Sequence, residues 1–283
     1  MPQVRVDPLT GLKTIIAGER AERPGGGFEV PPDAPIDPER DPFLEGHEDR
    51  TPPEVFALPE SGREPDTPGW QVRVVPNLYP AFDRHEVVVH SPRHVRTLAD
   101  LTDEELAVVA EAWIARVAST AGSAYVHPLI NEGRAAGASL PHSHSQLVWL
   151  PEAPPAVQVE RTERLKELLK EELVVGQANG LVAFCHPVGR LPYETLIMSR
   201  SASEPWPDED TLTRALWLLR DVVGSLRVIE GPVPWNAWLH HGAVWHIELV
   251  PRLSVLAGLE LGAGIYVNSL LPEQAAENLR AGI

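Results

Sequence analysis

Apolar residues recur at helical spacing in four stretches of the chain. Thr102, followed by Glu105, forms a capping-box pair, and an apolar pattern then runs to about Thr120. Val157 to Val175 mixes charged and apolar residues in the manner of an amphipathic helix, and Asp208 to about Val228 does so after Pro207. Pro272 to Arg280 predicts a short terminal helix. Between these lie short β-rich runs: Val72–Val75, Glu86–His90, Tyr125–Ile130, Gln146–Leu150, Leu181–Cys185, Glu194–Met198, Val244–Val250 and Gly264–Asn268.

The order of these elements repeats. His85-Glu86-Val87-Val88-Val89 leads through Ser91 and a helix to Asn131 and a histidine pair, His142 and His144. Tyr193-Glu194-Thr195-Leu196-Ile197 leads through Ser199 and a helix to Asn236 and a second histidine cluster, His240, His241 and His246. Glu86 and Glu194 are 108 positions apart, Asn131 and Asn236 are 105 apart, and His144 and His246 are 102 apart. This near-constant offset points to a duplicated strand–helix–strand unit, with halves at 1–150 and 151–283, in an α+β fold of antiparallel sheets with helices packed on them.

Composition narrows the function classes. The chain has 283 residues, 43% of them apolar, enough for a sizeable core. A net charge of -16 argues against a nucleic-acid binder, which needs a basic face, but leaves room for a small anion held by a few arginines. The single cysteine, Cys185, excludes an intramolecular disulfide and any all-cysteine zinc site. No apolar run approaches membrane-span length and Met1 to Val6 lacks a signal-peptide core, so a cytoplasmic protein without a membrane partner is expected. Prolines number 29, and their concentration between Pro24 and Pro68 predicts irregular chain packed over the core, with a disordered linker as the competing reading.

The chemistry concentrates in Asn131-Glu132-Gly133-Arg134-Ala135-Ala136-Gly137-Ala138-Ser139-Leu140-Pro141-His142-Ser143-His144-Ser145-Gln146. A loop of small residues allows backbone N–H groups to approach a phosphate. His142 and His144 are two apart, hence on one face of an extended segment, and Gln146 continues that face. A neutral imidazole is a competent nucleophile near pH 7, and a glutamine amide can stabilise charge on a phosphoryl group beside it. A lone histidine at a strand end is usually an ordinary polar residue. The loop, the H-x-H-x-Q pattern and the apolar strand together favour chemistry.

This segment resembles the active-site motif of the galactose-1-phosphate uridylyltransferase family, within the histidine-triad superfamily, with ADP-glucose phosphorylase-type enzymes as close relatives. Val4 to Gly11 with Arg20 and Arg23, Asp41 to Glu48, Val74 to Ala81, Trp245 to Arg252 and Gly258 to Gly262 resemble further family segments in order along the chain. The resemblance implies a histidine-triad-like fold in two related halves. It also implies a homodimer with its site near the interface, and double displacement through a nucleotidyl group carried on His144. Gln146 and Ser139 would then hold phosphoryl oxygens, Arg20 and Arg23 phosphates, Asn77 the nucleoside, Asn131 and Gly137 the substrate near the nucleophile, and Glu260 the sugar. The implied reaction is hexose-1-phosphate nucleotidylyl transfer, with UDP-glucose and galactose 1-phosphate exchanging. The alternatives are an ADP-glucose or dinucleoside polyphosphate phosphorylase using the same histidine and, from another class, a non-catalytic nucleotide-binding protein.

Several positions depart from the family pattern. Ser143 stands where H-P-H is usual, which is closer to the ADP-glucose phosphorylase type. Asp41 and Leu44 stand at the two cysteines of the family's zinc loop, while His94 and His142 remain, so a weakened or lost first metal site is expected. His240, His246 and Glu248, with a further carboxylate from Glu160, suggest a second site for zinc or iron; a hydrogen-bonded polar strand pair is the rival reading. Leu259 replaces an aromatic hydroxyl beside Glu260, and Asn268 is read as a further amide contact to sugar. His47, His85, His90, His127, His186 and His241 are read as structural or surface residues.

Overall fold

The computed structural model describes residues 3–18, 37–119, 125–201 and 204–282. Thirteen strands are described: β1 (Gln3–Val6), β2 (Lys13–Ile16), β3 (Phe56–Leu58), β4 (Val72–Pro76), β5 (His85–Val89), β6 (Tyr125–Glu132), β7 (His144–Leu150), β8 (Val174–Ala178), β9 (Leu181–Cys185), β10 (Thr195–Ser199), β11 (Trp235–His240), β12 (His246–Pro251) and β13 (Ile265–Asn268). The described helices are α1 (Asp103–Ala118), α2 (Pro155–Gln158), α3 (Leu165–Leu168), α4 (Glu209–Glu230), α5 (Gly258–Ala263) and α6 (Pro272–Gly282). No helix among the described residues is long and apolar enough to cross a membrane.

One ten-stranded sheet runs β3-β4-β5-β7-β6-β11-β12-β10-β9-β8, every neighbour antiparallel. Read outward-in from each edge, the two groups of five strands follow the same succession, and each places its long helix between the third and fourth strands of its own chain order. The groups join where β6 pairs β11, in the register Asn131↔Asn236. A separate three-stranded sheet, β1-β2-β13, pairs β2 parallel to β13.

Alternation along the strands gives the large sheet two chemically different faces. Ile130, Leu147, Ala237 and Ile247 belong to the main core, with Trp113 of α1 and Leu216 and Leu219 of α4. Trp113 Nε1 donates to Ser145 Oγ at 2.8 Å, which fixes α1 against β7. The residues that alternate with these, among them Asn131, His144, Gln146, Asn236 and His246, therefore lie on the other face. Three of the expected helices form, and α1 begins with the expected capping box at Thr102 and Glu105.

The expected helix from Val157 to Val175 does not form. The segment breaks into α2, α3, short 3-10 turns and the edge strand β8. Its local periodicity is overridden by tertiary demands: Arg161 N donates to the Leu9 carbonyl at 2.8 Å, and Glu160 is turned inward to His240. Strands β1, β2, β3 and β11 were not legible either, being three to six residues long and, for β1 and β3, at sheet edges. The start of the proline-rich stretch lies outside the described residues, and its described part is mostly turns with the short strand β3.

Candidate active site

His144 opens β7, is buried, and its tautomer is determined by its neighbours. Its Nδ1 lies 2.7 Å from the His142 carbonyl, which can only accept, so Nδ1 carries the proton and Nε2 keeps its lone pair. Burial, followed by the charge of His142, holds the His144 pKa below its ordinary value, against the His142 carbonyl and Asp41, which act the other way. The neutral, nucleophilic form is therefore the resident one near pH 7. Phe43 lies edge-on to the ring at a centroid distance of 5.4 Å and shields that side from water.

Two amides flank His144, and both have their oxygens occupied. His85 Nδ1 accepts from the Ala81 N–H at 3.2 Å, so His85 Nε2 donates to Gln146 Oε1, at 2.7 Å. This leaves the Gln146 NH₂ to face outward as a donor. Asn131 Oδ1 accepts from Asn236 Nδ2 at 2.7 Å, leaving the Asn131 NH₂ likewise free of any acceptor among the described residues. His85, expected as structural or surface, and Asn236, expected only as a repeat partner, both contact predicted site residues. The signal available for His85 was its position at the start of a strand whose pairing with β7 the sequence does not specify.

Asn77 sits just beyond β4, where its Oδ1 accepts from Tyr79 N at 2.8 Å and its Nδ2 lies 3.2 Å from His85 Nε2. It thus borders Gln146 through His85. Ser139 is exposed and lines a groove of about 930 Å³ with Glu132, Gly133, Arg134, Arg96 and His94. A narrow cleft reaching His144 shares Glu132, Gly133, Ala138, Leu140 and Pro141 with that groove. The expected cradle of backbone N–H groups is different in detail. Ala136 N and Ala138 N donate to the Gly133 carbonyl, and Gly137 N donates to the Arg134 carbonyl. Gly137 adopts a left-handed φ of 92°, which closes the loop into a tight turn and directs these three donors inward.

Glu132 lies where the cleft meets the groove. Burial pushes its carboxyl up to about 7, against hydrogen bonds from Thr97 and the Leu98 N–H that favour the charged form. The fold therefore favours the neutral acid. Its contribution is complete below the ordinary glutamate value of 4.5 and is lost as pH rises through about 7. Glu132→Gln keeps an acceptor for the Leu98 N–H, now at 2.9 Å, and removes the ionisation. We expect the variant to be more stable than the parent by ~1–3 kcal/mol at about pH 8 and indistinguishable at about pH 4.5, by thermal unfolding at both values. Equal stabilities at the higher pH would refute the raised pKa.

Two clusters bring together groups able to hold a cation. In the first, Asp41 Oδ2 lies 2.7 Å from His142 Nδ1 and 2.8 Å from His94 Nδ1. His142 Nε2 faces the Ser91 carbonyl at 2.9 Å, the outer-shell bond typical of a ligating histidine. Burial would raise the Asp41 carboxyl, but hydrogen bonding and charge from His142, with the Phe43 N–H and His94, hold it down at about 2. The donor set of two imidazoles and a carboxylate fits a divalent cation, and Leu44 leaves it one ligand short of a closed zinc site.

The second cluster is Glu160, His240 and His246. Glu160 Oε1 lies 2.6 Å from His240 Nδ1 and 3.7 Å from His246 Nε2. His246 is fully buried, and neither ring nitrogen has a hydrogen-bond partner among the described residues, an arrangement that a bound cation or water would relieve. Burial lowers both histidines to about 4, so both offer lone pairs at neutral pH. Glu248 stands outside this cluster, because its carboxylate is engaged by Arg190, which also pairs with Glu194 at 3.1 Å. Glu160, expected from the sequence as a further carboxylate, is the one that lies in the cluster.

The remaining predicted residues are dispersed. Glu260 lies in α5, where one carboxylate oxygen accepts from Ala257 N at 2.9 Å at the helix start. Asn268 is structural: it is buried, and its Nδ2 donates to the Gly189 and Leu191 carbonyls, each at 3.0 Å. Arg20 and Arg23 lie outside the described residues.

The model of the galactose-1-phosphate uridyl transferase N-terminal domain matches residues 78–155, the segment carrying β5, α1, β6 and the His144 strand. The ADP-glucose phosphorylase of Arabidopsis thaliana is 27% identical over 99% of this chain and 92% of its own length. The galactose-1-phosphate uridylyltransferase of Thermotoga maritima is 23% identical over 99% of this chain and 98% of its own. The crystal structure of the Arabidopsis thaliana ADP-glucose phosphorylase with bound ADP-glucose superposes with a TM-score of 0.85 at 26% identity, covering 99% of this chain and 98% of that one. The sequence and fold comparisons thus agree that the chain is an enzyme of the nucleotidyltransferase type, similar along its whole length to the galactose-1-phosphate uridylyltransferases and ADP-glucose phosphorylase.

Proposed function

We propose that this chain moves a nucleotidyl group from a nucleotide sugar to a phosphate acceptor through a covalent bond to His144 Nε2. The observation that carries the reading is the 2.7 Å bond from His144 Nδ1 to the His142 carbonyl, which leaves Nε2 unprotonated between two outward-facing amides. Nε2 attacks the α-phosphorus, a P–N bond forms, and the bond from phosphorus to the bridging oxygen breaks. Hexose 1-phosphate leaves with that electron pair. The acceptor's phosphate oxygen then attacks the same phosphorus and the P–N bond breaks, returning the lone pair to Nε2. The Gln146 and Asn131 NH₂ groups, with the Ser139 hydroxyl, meet the charge that develops on the phosphoryl oxygens.

In this reading the 1–150 half supplies the nucleophile and the 151–283 half supports it, in a cytoplasmic protein without nucleic-acid or membrane partners. Arg20 and Arg23 hold phosphate and Asn77 the nucleoside. Among the described residues no bond joins Glu260 to the His144 cleft, and Val255, Leu259 and Leu261 around it are exposed. We take this as support for a homodimer in which a second copy brings Glu260 to the sugar. Asp41, His94 and His142 would hold one zinc or iron ion and Glu160, His240 and His246 another, each acting as a structural cation that fixes loops and strands around the site. Elemental analysis is expected to find metal at the second cluster, lost in His246→Ala together with several degrees of melting temperature, and less at the first, where Leu44 stands at a position expected to ligate. A metal-free protein with unchanged melting behaviour in that variant would remove the second site.

The donor and acceptor are the finer question. ADP-glucose with inorganic phosphate takes first place because of the 0.85 superposition on ADP-glucose phosphorylase, Ser143 between the histidines, and Leu259 in place of an aromatic hydroxyl. Exchange of UDP-glucose with galactose 1-phosphate is the second reading, favoured by the domain match over residues 78–155 and by Glu260. Steady-state kinetics on both pairs decides. A kcat/KM for ADP-glucose plus phosphate about 100-fold above that for the exchange corresponds to ~2.7 kcal/mol of transition-state binding and makes the chain a phosphorylase. The opposite ratio makes it a uridylyltransferase, and no turnover of either pair overturns both.

A further inference from the structure

Every hydrogen-bonding atom of the Asn236 side chain is committed, and the commitments form a directed chain. Arg252 can only donate, and its Nη1 lies 3.1 Å from Asn236 Oδ1. The Ala136 carbonyl can only accept, and Asn236 Nδ2 reaches it at 2.7 Å. These two fixed partners set the orientation of the Asn236 amide. Its second N–H therefore points at Asn131, 2.7 Å away, and compels Asn131 to present its oxygen. The Asn131 NH₂ is left for the cleft. Asn131 stands one residue beyond the Ile130↔Ser145 rung, beside His144 at the start of β7.

The second half of the chain also touches the loop at another point. Gly133 has a φ of 82°, and a Cβ there would come 2.9 Å from Pro234 Cβ. Arg252 N donates to the Pro234 carbonyl at 2.8 Å, so the residue that orients Asn236 also holds the strand end on which Gly133 rests. The loop from Gly133 to Ser139 is thus seated on Pro234 and tied at Ala136, two residues of support from β11 and its approach. The three N–H groups inside the loop close on its own carbonyls, so its position relative to β6 depends on these outside ties.

We infer that Asn236, oriented by Arg252, is a positioning residue that aims the Asn131 NH₂ and seats the phosphate-side loop for transfer to His144. The inference rests on the nucleotidyl-transfer reading for its kinetic consequence, and not for its structural one. It assigns the β6–β11 seam a task beyond joining the two five-stranded groups: the second half orients a donor of the first.

Asn236→Asp separates positioning from space-filling. It keeps the volume but turns an oxygen toward the Ala136 carbonyl, where no tie can form, and toward Asn131, whose amide can answer only by rotating its NH₂ away from the cleft. With ADP-glucose or UDP-glucose and no acceptor, whichever charges the parent, we expect single-turnover adduct formation on His144 to slow by about 10–100-fold in Asn236→Asp and Asn236→Ala, with a smaller change in KM. The double variant Asn131→Ala/Asn236→Ala should be faster than the product of the single effects implies, because one acts through the other. Hydrogen exchange of residues 133–140 should quicken in both Asn236 variants while β7 stays protected. Asn236→Asp charging at the parental rate, multiplicative single effects, or unchanged loop exchange would each overturn the inference. A parent protein that forms no adduct with either nucleotide sugar overturns the transfer reading, and the loop's exchange then decides the positioning role alone.

Discussion

His144→Gly is expected to lower turnover by at least about 10⁴-fold, the loss seen when a covalent nucleophile is removed from a site that otherwise still binds. The reason is local. Within the cleft His144 alone combines a nitrogen lone pair, fixed by its own Nδ1 bond to the His142 carbonyl, with a seat on the open face of the sheet. His142 is not an alternative, because both its nitrogens face oxygens of Asp41 and Ser91. Incubating the parent with a nucleotide sugar and no acceptor should add one nucleotidyl group to the intact mass, labile in acid and stable in base as a P–N bond is. Free imidazole fits the space vacated in the glycine variant and should restore a fraction of the rate. A full adduct on His144→Ala would place the nucleophile elsewhere.

Gln146→Ala should cost about 10²–10³-fold in kcat, the range for losing one preorganised donor to a developing negative charge. His85→Ala is expected to cost about 10-fold, since it leaves the Gln146 amide in place and removes only the 2.7 Å bond that turns its NH₂ outward. The two effects should not multiply, because His85 acts through Gln146. His85→Ala should therefore do almost nothing in a Gln146→Ala background. A second 10-fold loss there would mean that His85 works through Asn77, which lies 3.2 Å from the same ring nitrogen, and so through nucleoside binding.

These two residues show where legibility ended. Gln146 was legible because it shares a strand with His144, and spacing alone puts residues two apart on one face. His85 was not, because its contact depends on the pairing of β5 with β7, which brings Val87 opposite Gln146 and His85 opposite Val148. No local pattern specifies that register. Glu160 and Glu248 make the same point in reverse. His246 and Glu248 are two apart on β12, which groups them in the sequence with Glu160 only as a further carboxylate, yet Arg190 takes Glu248 and Glu160, 80 positions before His240, lies against the two histidines. The helix expected over Val157 to Val175 failed with it, since Glu160 turns toward His240 and His246 from a segment that breaks to let it do so.

Short-range physics made legible three helices with the Thr102 cap, most strands, the repeat offset, and the H-x-H-x-Q face. Periodicity and capping act within a few residues, so they survive reading in one dimension. Long-range packing settles which amide ends face the cleft, which of Glu160 and Glu248 lies against His240 and His246, and that the N–H groups of Ala136, Gly137 and Ala138 close inward. Each of these is settled by a donor or acceptor that must be matched across strands once water is excluded. That matching depends on sheet register, which pairs Asn131 with Asn236 across 105 positions of chain.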